Sequence, residues 1–240
     1  MSNPCQVRWL GQVEFGQTLP IQKELTAKRL ADEIPDTVLL LEHPRTYTIG
    51  VDGYQAHLLI DEQEMTRRKI AFYRVDRDGG IFFHCPGQLV VYPILKLGRN
   101  CYNYHDYLRL LESVIIRTLA CFGVRAFRQQ GKSGICVFSG NPASHNSSQF
   151  ESSMAKISGI GVRVNRHGIT SHGFWININP DLQYFDLIVP GGVKDGLVTS
   201  LQHVLNKSIR FGTVIEPVIQ SFCEVFEKEP CFLENLVTKN

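Results

Sequence analysis

Residues 154–179, MAKISGIGVRVNRHGITSHGFWININ, contain two β-rich runs on either side of the turn-prone tetrapeptide 165–168, a pattern that predicts a β-hairpin. Pairing Val164 with Ile169 would give this hairpin two chemically different faces. The face that we expect to enter the core carries Ile157, Phe174, Ile176 and Ile178. The other face carries Lys156, Trp175 and Asn177. A slip of one residue would exchange the two faces, so they depend on the turn.

Three glycines interrupt the predicted hairpin strands, namely Gly159, Gly161 and Gly173. Glycine weakens a strand interior, and it is typical of places where another group must approach the backbone closely. An extended ligand lying along the hairpin would be such a group. We therefore expect the hairpin to form part of a binding site.

Outside the hairpin, short apolar runs bounded by turn residues predict further strands. They cover residues 38–41, 71–75, 81–84, 89–94, 124–127 and 135–138. Apolar residues at helical spacing predict helices over residues 108–122 and 215–226, and a weaker pattern predicts one over 21–32. Strands with few helices between them favour a mixed α+β fold over strict βαβ alternation.

The composition is that of an ordinary globular chain: of 240 residues, 43% are hydrophobic and 20% are charged, with a net charge of +2. This balance excludes intrinsic disorder and a strongly basic nucleic-acid-binding protein. No run of about 18 apolar residues predicts a membrane span, and residues 1–20 lack the apolar run of a signal peptide. We expect one domain over residues 1–240, with a polar surface loop at 139–153.

Seven cysteines are scattered along the chain and form no CxxC pair, which argues against a zinc ribbon or a thioredoxin-like site. Without an export signal, we expect reduced thiols and a location in the cytoplasm. No His/Cys spacing indicates a metal site, and no glycine pattern indicates a nucleotide-binding loop. The sequence therefore predicts neither a metal nor a cofactor.

Residues 77–88, RDGGIFFHCPGQ, place His84 and Cys85 side by side next to a tight turn. His84 could orient or deprotonate a nucleophile near neutral pH, and it could raise the thiolate content of Cys85. The alternative is a hairpin whose histidine is merely hydrogen-bonded. These residues alone leave both interpretations open.

Three further candidates for the functional site are Lys156, His172 and the loop at 188–193. A lysine on a pocket wall can lower a thiol pKa, act as an acid or base, or hold an anion, whereas most strand lysines are simply solvated. Residues 190–192, PGG, would expose backbone N–H groups that can hold an oxyanion, unless they form a plain loop. His172, within residues 171–174, is either a site residue or a satisfied core histidine.

Taken together, these segments resemble the lipoate-protein ligase B family, the octanoyl-acyl-carrier-protein:protein N-octanoyltransferases. The matching segments occur in the family's order over about residues 35–205. They are residues 39–50 (LLLEHPRTYTIG), 76–93, 134–135 (GI), 155–163 (AKISGIGVR), 171–174 (SHGF), and 188–190 (IVP) with Gly192.

The resemblance implies a mixed, largely antiparallel sheet flanked by helices, as in the catalytic domains of biotin and lipoate protein ligases. It implies an acyltransferase that moves an octanoyl group from octanoyl-acyl carrier protein to a lysine of a lipoyl domain. The acceptors would be the lipoyl domains of 2-oxoacid dehydrogenases or the glycine-cleavage H protein. Because the thioester is already activated, no ATP or other cofactor is implied, and neither a nucleic acid nor a membrane is an expected partner.

The resemblance also implies roles for individual residues. Lys156 falls on the lysine that lowers the pKa of the family's nucleophilic cysteine, and His84 is a second expected catalytic residue. The expected acyl-binding residues are Arg77, Asp78, Gly79, Gly80, Ile81, Phe82, Phe83, His84, Gly159, Ile160, Gly161, His172, Gly173, Phe174 and Trp175.

The chain departs from the family pattern where the nucleophile is expected, because Gly191 stands at the cysteine of the Pro-Cys-Gly motif. Asp78 and Cys85 also stand where glycines are usual, and Cys136 stands where a tryptophan is usual. The family's covalent mechanism therefore does not carry over unchanged.

Two hypotheses follow from the glycine at 191. In the first, the chain is an octanoyltransferase with altered chemistry: either Cys85 is a relocated nucleophile, or the acceptor lysine attacks directly with help from Lys156 and His84. In the second, the chain is a catalytically inactive member that binds acyl groups or lipoyl domains.

Overall fold

The computed structural model describes residues 3–98, 103–129, 133–138, 154–189 and 197–233. The predicted surface loop at 139–153 and the glycine at 191 lie outside these ranges. None of the helices in the described ranges combines the length and the apolar character that crossing a bilayer requires.

The chain forms eleven strands and five α-helices in the described ranges. The strands are β1 (Pro4–Gln12), β2 (Asp36–Glu42), β3 (Thr46–Ile49), β4 (Ala71–Arg74), β5 (Ile81–His84), β6 (Gln88–Ile94), β7 (Ala126–Arg128), β8 (Ile135–Phe138), β9 (Met154–Val164), β10 (Thr170–Asn177) and β11 (Glu229–Phe232). The helices are α1 (Phe15–Leu30), α2 (Glu62–Arg67), α3 (Tyr104–Ala120), α4 (Leu201–Leu205) and α5 (Ile215–Phe226). Every predicted strand and helix overlaps one of these elements, although α1 begins six residues before its predicted start.

The strands form an eight-stranded sheet in the order β11-β1-β2-β6-β10-β9-β8-β7 and a three-stranded sheet in the order β4-β3-β5. In the large sheet β1 runs parallel to β11 and β2, and the other neighbours are antiparallel. The predicted α+β class, with a mixed and largely antiparallel sheet flanked by helices, is confirmed.

The two faces of the large sheet are both buried, because successive side chains of a strand point to opposite sides. One face packs against α3 and α5, whose apolar stripes meet strand residues such as Phe174 and Ile176. The other face packs against the small sheet, α1 and α2, and receives alternate strand residues such as Leu41 and Trp175. The hairpin therefore lies between two layers and contributes to both.

The hairpin β9–β10 is present, but its register differs by one residue from the prediction. Thr170, not Ile169, lies opposite Val164. The cause is a turn of five residues, 165–169, in which the Asn165 side-chain oxygen accepts hydrogen bonds from the backbone N–H groups of His167 and Ile169. Gly168 supports this turn with a φ of +77°.

A bulge in β9 preserves the predicted faces despite the slip. Ile135 pairs with Ser158 and Cys136 pairs with Lys156, so Ile157 is one extra residue on β9. As a result Ile157 shares the core under α3 and α5 with Ile160, three positions further on. The same bulge directs Lys156 to the opposite side, where its Nζ lies 5.9 Å from the centre of the Phe82 ring.

Candidate active site

A small pocket lies between the hairpin and the small sheet. Its walls are formed by Phe15, Arg77, Phe82, His84, Val90, Tyr92, Gly161, His172, Gly173, Phe174 and Trp175. Eight of these belong to the residues that the sequence assigned to acyl binding, and they come from the two separate segments 77–84 and 161–175. The fold therefore brings the two motif segments together around one space.

Sequence reasoning missed three wall residues, Phe15, Val90 and Tyr92. Phe15 lies at the start of α1, and Val90 and Tyr92 alternate along β6 with residues that face the other core. Each resembles an ordinary buried residue in the sequence. The available signal was the period of two in β6, which puts positions 90 and 92 on one face of the sheet.

Several predicted acyl-binding residues do not line the pocket. Ile160 lies in the core under α3 and α5. Ile81 and Phe83 lie on the other side of β5 from Phe82 and His84, where Phe83 stacks on Tyr184 with ring centres 5.4 Å apart. The alternation of side chains along β5 explains this division.

The turn before β5 supports the pocket through its backbone. Asp78 donates its N–H to the Val162 carbonyl, which ties the turn to β9. Gly79, with a φ of +86°, donates its N–H to Asp52. The Gly80 carbonyl accepts from the Gly50 N–H. These three residues therefore hold the segment that carries Arg77 and Phe82.

The hairpin glycines are explained by the protein's own packing, so the expected extended ligand is not needed to account for them. A Cβ atom on Gly161 would lie 2.7 Å from the Phe82 ring and 2.9 Å from Cδ of Arg77. A Cβ atom on Gly159 would lie 2.7 Å from the Trp175 indole. The side chains that cover these glycines are the walls of the pocket.

Arg77 is buried in the pocket wall without losing its hydrogen bonds. Its guanidinium donates to the backbone and side-chain oxygens of Thr48 and to the Asp78 carbonyl, and it lies 3.8 Å above the Phe82 ring. Burial lowers the pKa of Arg77 to about 9, so the group is still charged at neutral pH. The positive charge is thereby held against an aromatic face.

His84 is neutral, and its hydrogen bonds define its tautomer. The Gln88 amide nitrogen donates to the Phe83 carbonyl and to Asn177, which turns the Gln88 oxygen toward His84. Nδ1 of His84 must therefore donate across the 2.8 Å to that oxygen. Burial, followed by the neighbouring His43, lowers the pKa of His84 well below its usual value.

His172 adopts a left-handed backbone conformation, with a φ of +56°, inside β10. Its backbone N–H donates to the Gln22 side chain, and its Nε2 lies 3.1 Å from the Asp76 carboxylate, which also pairs with Arg163. Burial lowers the pKa of His172 to about 4, so the ring is neutral at pH 7. This conformation costs about 1–3 kcal/mol, and such strain is concentrated at functional sites.

Lys156 lies beside the pocket and is held by its backbone. Its N–H donates to the Leu197 carbonyl at 2.7 Å, and its carbonyl accepts from Thr199 at 2.9 Å. Val189, at the other end of the segment that contains Gly191, donates to the His57 carbonyl. Leu197 and Thr199, which bond to Lys156, therefore follow Gly191 closely in the sequence. Gly191 itself lies outside the described ranges.

Cys85 is poorly placed to be the relocated nucleophile. The residue is 3% exposed and packs in the apolar cluster that contains Tyr47, and it is not among the residues that line the pocket. Burial raises the pKa of Cys85 far above its usual range, which disfavours the reactive thiolate. His84 lines the pocket, whereas Cys85, the next residue in the sequence, does not.

The other cysteine near the site is Cys136, which pairs directly with Lys156 across β8 and β9. Its Sγ lies 3.8 Å from the side-chain oxygen of Gln129. Among the residues that the structure describes, no three His, Cys, Asp or Glu side chains are grouped closely enough to hold a metal ion.

Comparisons with known proteins agree with this architecture. The model of the family described as lipoyl protein ligase A/B catalytic domain matches residues 15–223. An octanoyltransferase of Chloroflexus aurantiacus is 40% identical over 224 residues, which are 93% of this chain and 95% of that protein. An octanoyltransferase of Christiangramia forsetii is 37% identical over 241 residues, covering 95% of this chain and 98% of that protein.

Solved structures share the fold at low sequence identity. A bipartite lipoate protein ligase studied with its E2 lipoyl domain, from Thermoplasma acidophilum, has a TM-score of 0.69 at 15% identity and covers 100% of this chain and 88% of its own. A lipoate-protein ligase A bound with ATP has a TM-score of 0.65 at 17% identity, covering 100% and 90%. These likenesses concern the fold alone.

Proposed function

The chain belongs to the lipoyl protein ligase A/B catalytic domain family, and we propose that it transfers an octanoyl group to a protein lysine in protein lipoylation. The octanoyltransferases that it resembles over more than nine-tenths of its length support this acyltransferase activity. The observation that carries the proposal is the pocket, where residues 77–84 and 161–175 converge beside Lys156.

The proposed donor is octanoyl-acyl carrier protein, and the proposed acceptor is a lysine of a lipoyl domain, in a 2-oxoacid dehydrogenase or in the glycine-cleavage H protein. The related fold of a ligase studied with its E2 lipoyl domain supports the acceptor class. A thioester donor is already activated, so the reaction needs no ATP. The described cysteines form no disulfide, which suits the proposed location in the cytoplasm; they are Cys5, Cys85, Cys121, Cys136, Cys223 and Cys231.

The proposed mechanism is direct attack by the acceptor lysine on the thioester. Position 191 is a glycine, and Cys85 is buried and does not line the pocket. The acceptor amine forms the new C–N bond, and collapse of the tetrahedral intermediate breaks the C–S bond. The electron pair leaves on the donor sulfur, which takes up the proton lost by the amine.

Lys156 and His84 have different parts in this mechanism. Lys156 lies at the pocket edge, where an ammonium group can stabilise the leaving thiolate and pass a proton to it. The neutral Lys156 amine then takes up the proton that the attacking amine loses, so the donor sulfur gains that proton through Lys156. His84 is neutral, with Nδ1 donating to Gln88 and Nε2 facing the Thr48 hydroxyl at 3.4 Å. It positions the polar wall of the pocket and does not exchange protons with the substrate.

A kinetic experiment tests the proposal. With octanoyl-acyl carrier protein and an apo lipoyl domain, we expect octanoylated domain by mass spectrometry. Initial rates at varied donor and acceptor should give intersecting double-reciprocal lines, because both substrates must be bound together. Ping-pong kinetics with a hydroxylamine-sensitive octanoyl adduct would contradict direct attack, and peptide mapping of the adduct would then identify the nucleophile.

The glycine at 191 favours one alternative, an inactive protein that binds acyl groups or lipoyl domains. The variant Gly191→Cys separates the two. Transfer by the parent protein supports the proposed enzyme, and we expect the variant to add a covalent octanoyl intermediate. Transfer by the variant alone would identify the parent as a binding protein.

A further inference from the structure

We propose that the indole N–H of Trp175 donates a hydrogen bond to the carbonyl oxygen of the acyl thioester. In this role Trp175 orients the carbonyl for attack and stabilises the negative charge that develops on its oxygen. The inference rests on the proposed octanoyl transfer, and it adds a residue that contacts the reacting carbonyl.

The first observation is a buried donor that the described part of the protein does not satisfy. Trp175 is 3% exposed, and its Nε1 has no hydrogen-bond partner among the described residues. Buried tryptophan N–H groups normally find an acceptor, because desolvating an unpaired donor destabilises the fold. An unsatisfied donor in a pocket wall is therefore placed for a ligand that brings an acceptor.

The second observation is the location of the indole. Trp175 forms part of the pocket wall, and its ring meets Phe82 edge to face with ring centres 6.0 Å apart. The ammonium of Lys156 lies 5.9 Å from the centre of the same Phe82 ring. The indole donor and the lysine proposed to assist the leaving group thus flank one aromatic ring.

The third observation is that the backbone is shaped around the indole. Trp175 pairs with Gly159 across β9 and β10, and a Cβ atom at 159 would lie 2.9 Å from Nε1 and 2.7 Å from Cε2. Any other residue at 159 would push the indole away. The Ser158 hydroxyl also donates to the Trp175 carbonyl at 2.5 Å, which fixes the strand at this point.

The neighbouring polar groups already have partners within the protein. Arg77 donates to Thr48 and Asp78, and the Tyr92 hydroxyl lies 2.8 Å from Nε2 of His43. Among the described residues that line the pocket, the indole therefore offers a donor that is left over for a ligand. An octanoyl chain has no hydrogen-bonding atom along its hydrocarbon part, so the acceptor must be the acyl carbonyl.

The indole assists the reaction without changing its own protonation. When the acceptor amine attacks, the C=O electron pair moves onto the oxygen, and the bond from the Trp175 N–H strengthens as that charge grows. Collapse re-forms the C=O bond and expels the donor sulfur, which takes the proton released by the amine. The N–H remains on Trp175 throughout.

The variant Trp175→Phe tests the proposal, because it removes the N–H and keeps an aromatic ring. We expect kcat/KM for octanoyl transfer to fall about 100-fold, the usual effect of losing one such donor. The melting temperature should stay equal or rise, because the variant has no unpaired donor. The control is Trp9→Phe, since Trp9 packs against Phe211 on the other side of the sheet. Unchanged transfer by Trp175→Phe would overturn the proposal.

A binding experiment separates this inference from the proposed function. The probes are octanoyl-pantetheine and its thioether analogue S-octyl-pantetheine, which lacks the carbonyl. Trp175→Phe should weaken binding of the first about 10-fold and leave binding of the second unchanged. Equal losses for both probes would overturn the role of the N–H. No binding of either probe to the parent protein would overturn the proposed function as well.

A spectroscopic signature completes the test. In the Trp9→Phe background, Trp175 is the only tryptophan, so its indole N–H gives a single ¹⁵N-labelled signal. Octanoyl-pantetheine should move the proton of that signal downfield as the hydrogen bond forms, whereas S-octyl-pantetheine should not. The same shift with both probes would show contact without a hydrogen bond and would overturn the proposal.

Discussion

The two faces of the hairpin β9–β10 are buried to a similar extent, but they are filled with different chemistry. On the face under α3 and α5, Ile157 and Ile176 pack among apolar side chains. On the face toward the small sheet, Trp175 lines a pocket with the charged Arg77 and the neutral His84, and Lys156 lies beside Phe82. Burial therefore does not distinguish the core from the site. The site is distinguished from the core by its buried polar groups, whose partners are arranged around a pocket.

The largest effect that this comparison predicts concerns Lys156, which is half-buried at the pocket edge. Replacing it with alanine should lower kcat/KM for octanoyl transfer about 1,000-fold, a typical loss for a group that transfers a proton in the transition state. The melting temperature should change by only a few degrees. Rates with a purified lipoyl domain, together with thermal unfolding, measure both.

The matched control lies on the other face. Phe222 in α5 is 1% exposed, and Phe222→Ala should reduce the free energy of unfolding by about 4 kcal/mol through lost packing. Its folded fraction should transfer octanoyl at the parent rate. If Lys156→Ala lost stability and kept its activity, Lys156 would belong to the core and not to the active site, which would contradict the prediction.

The second prediction concerns the neutral histidines on the site face. The folded pKa of His172 is about 4, below the unfolded value of about 6.5, so between these values only the unfolded state binds the proton. The contribution of His172 to stability should therefore be complete above about pH 6.5 and fall by about 3 kcal/mol as the pH drops toward 4. Denaturant unfolding across this range measures the slope.

The variant His172→Asn sharpens this prediction, because asparagine tolerates the left-handed conformation that residue 172 adopts. Its stability should depend less on pH than that of the parent between pH 4 and 6.5. An identical slope in the two proteins would mean that the His172 ring does not titrate as its burial implies.

The smallest predicted effect comes from the hairpin glycines. Gly161→Ala would place a methyl group 2.7 Å from Phe82, and the crowding should cost about 2 kcal/mol of stability and displace the pocket wall. Gly212→Ala is the control, since nothing lies within 4 Å of a Cβ at that position. The free energy of unfolding and the rate of octanoyl transfer should both be lower than in the parent for Gly161→Ala, and unchanged for Gly212→Ala. Equal stability and equal transfer rates for the two variants would contradict the prediction, because the pocket wall at Phe82 would then accommodate the methyl group without cost.

The sequence predicted eight of the eleven described strands, because short apolar runs between turn residues mark them, as in residues 81–84 and 135–138. It did not predict β1, β3 or β11. It missed the register of the hairpin by one residue, because the Asn165 side chain closes a five-residue turn that composition does not reveal. It also suggested Cys85 as a nucleophile. The Cys85 residue is buried, which disfavours that role, and its burial is decided by packing that the local sequence does not reveal.

By itself, the sequence determined the fold class, most of the strands, the three longest helices and the segments that would carry chemistry, because apolar periodicity and turn residues act locally. Only the tertiary structure decided which side chains of those segments meet. The bulge at Ile157 turned Lys156 toward Phe82, and packing over Gly159 left the Trp175 N–H without a partner among the described residues. Such outcomes depend on contacts between residues far apart in the chain, and local patterns do not specify those contacts.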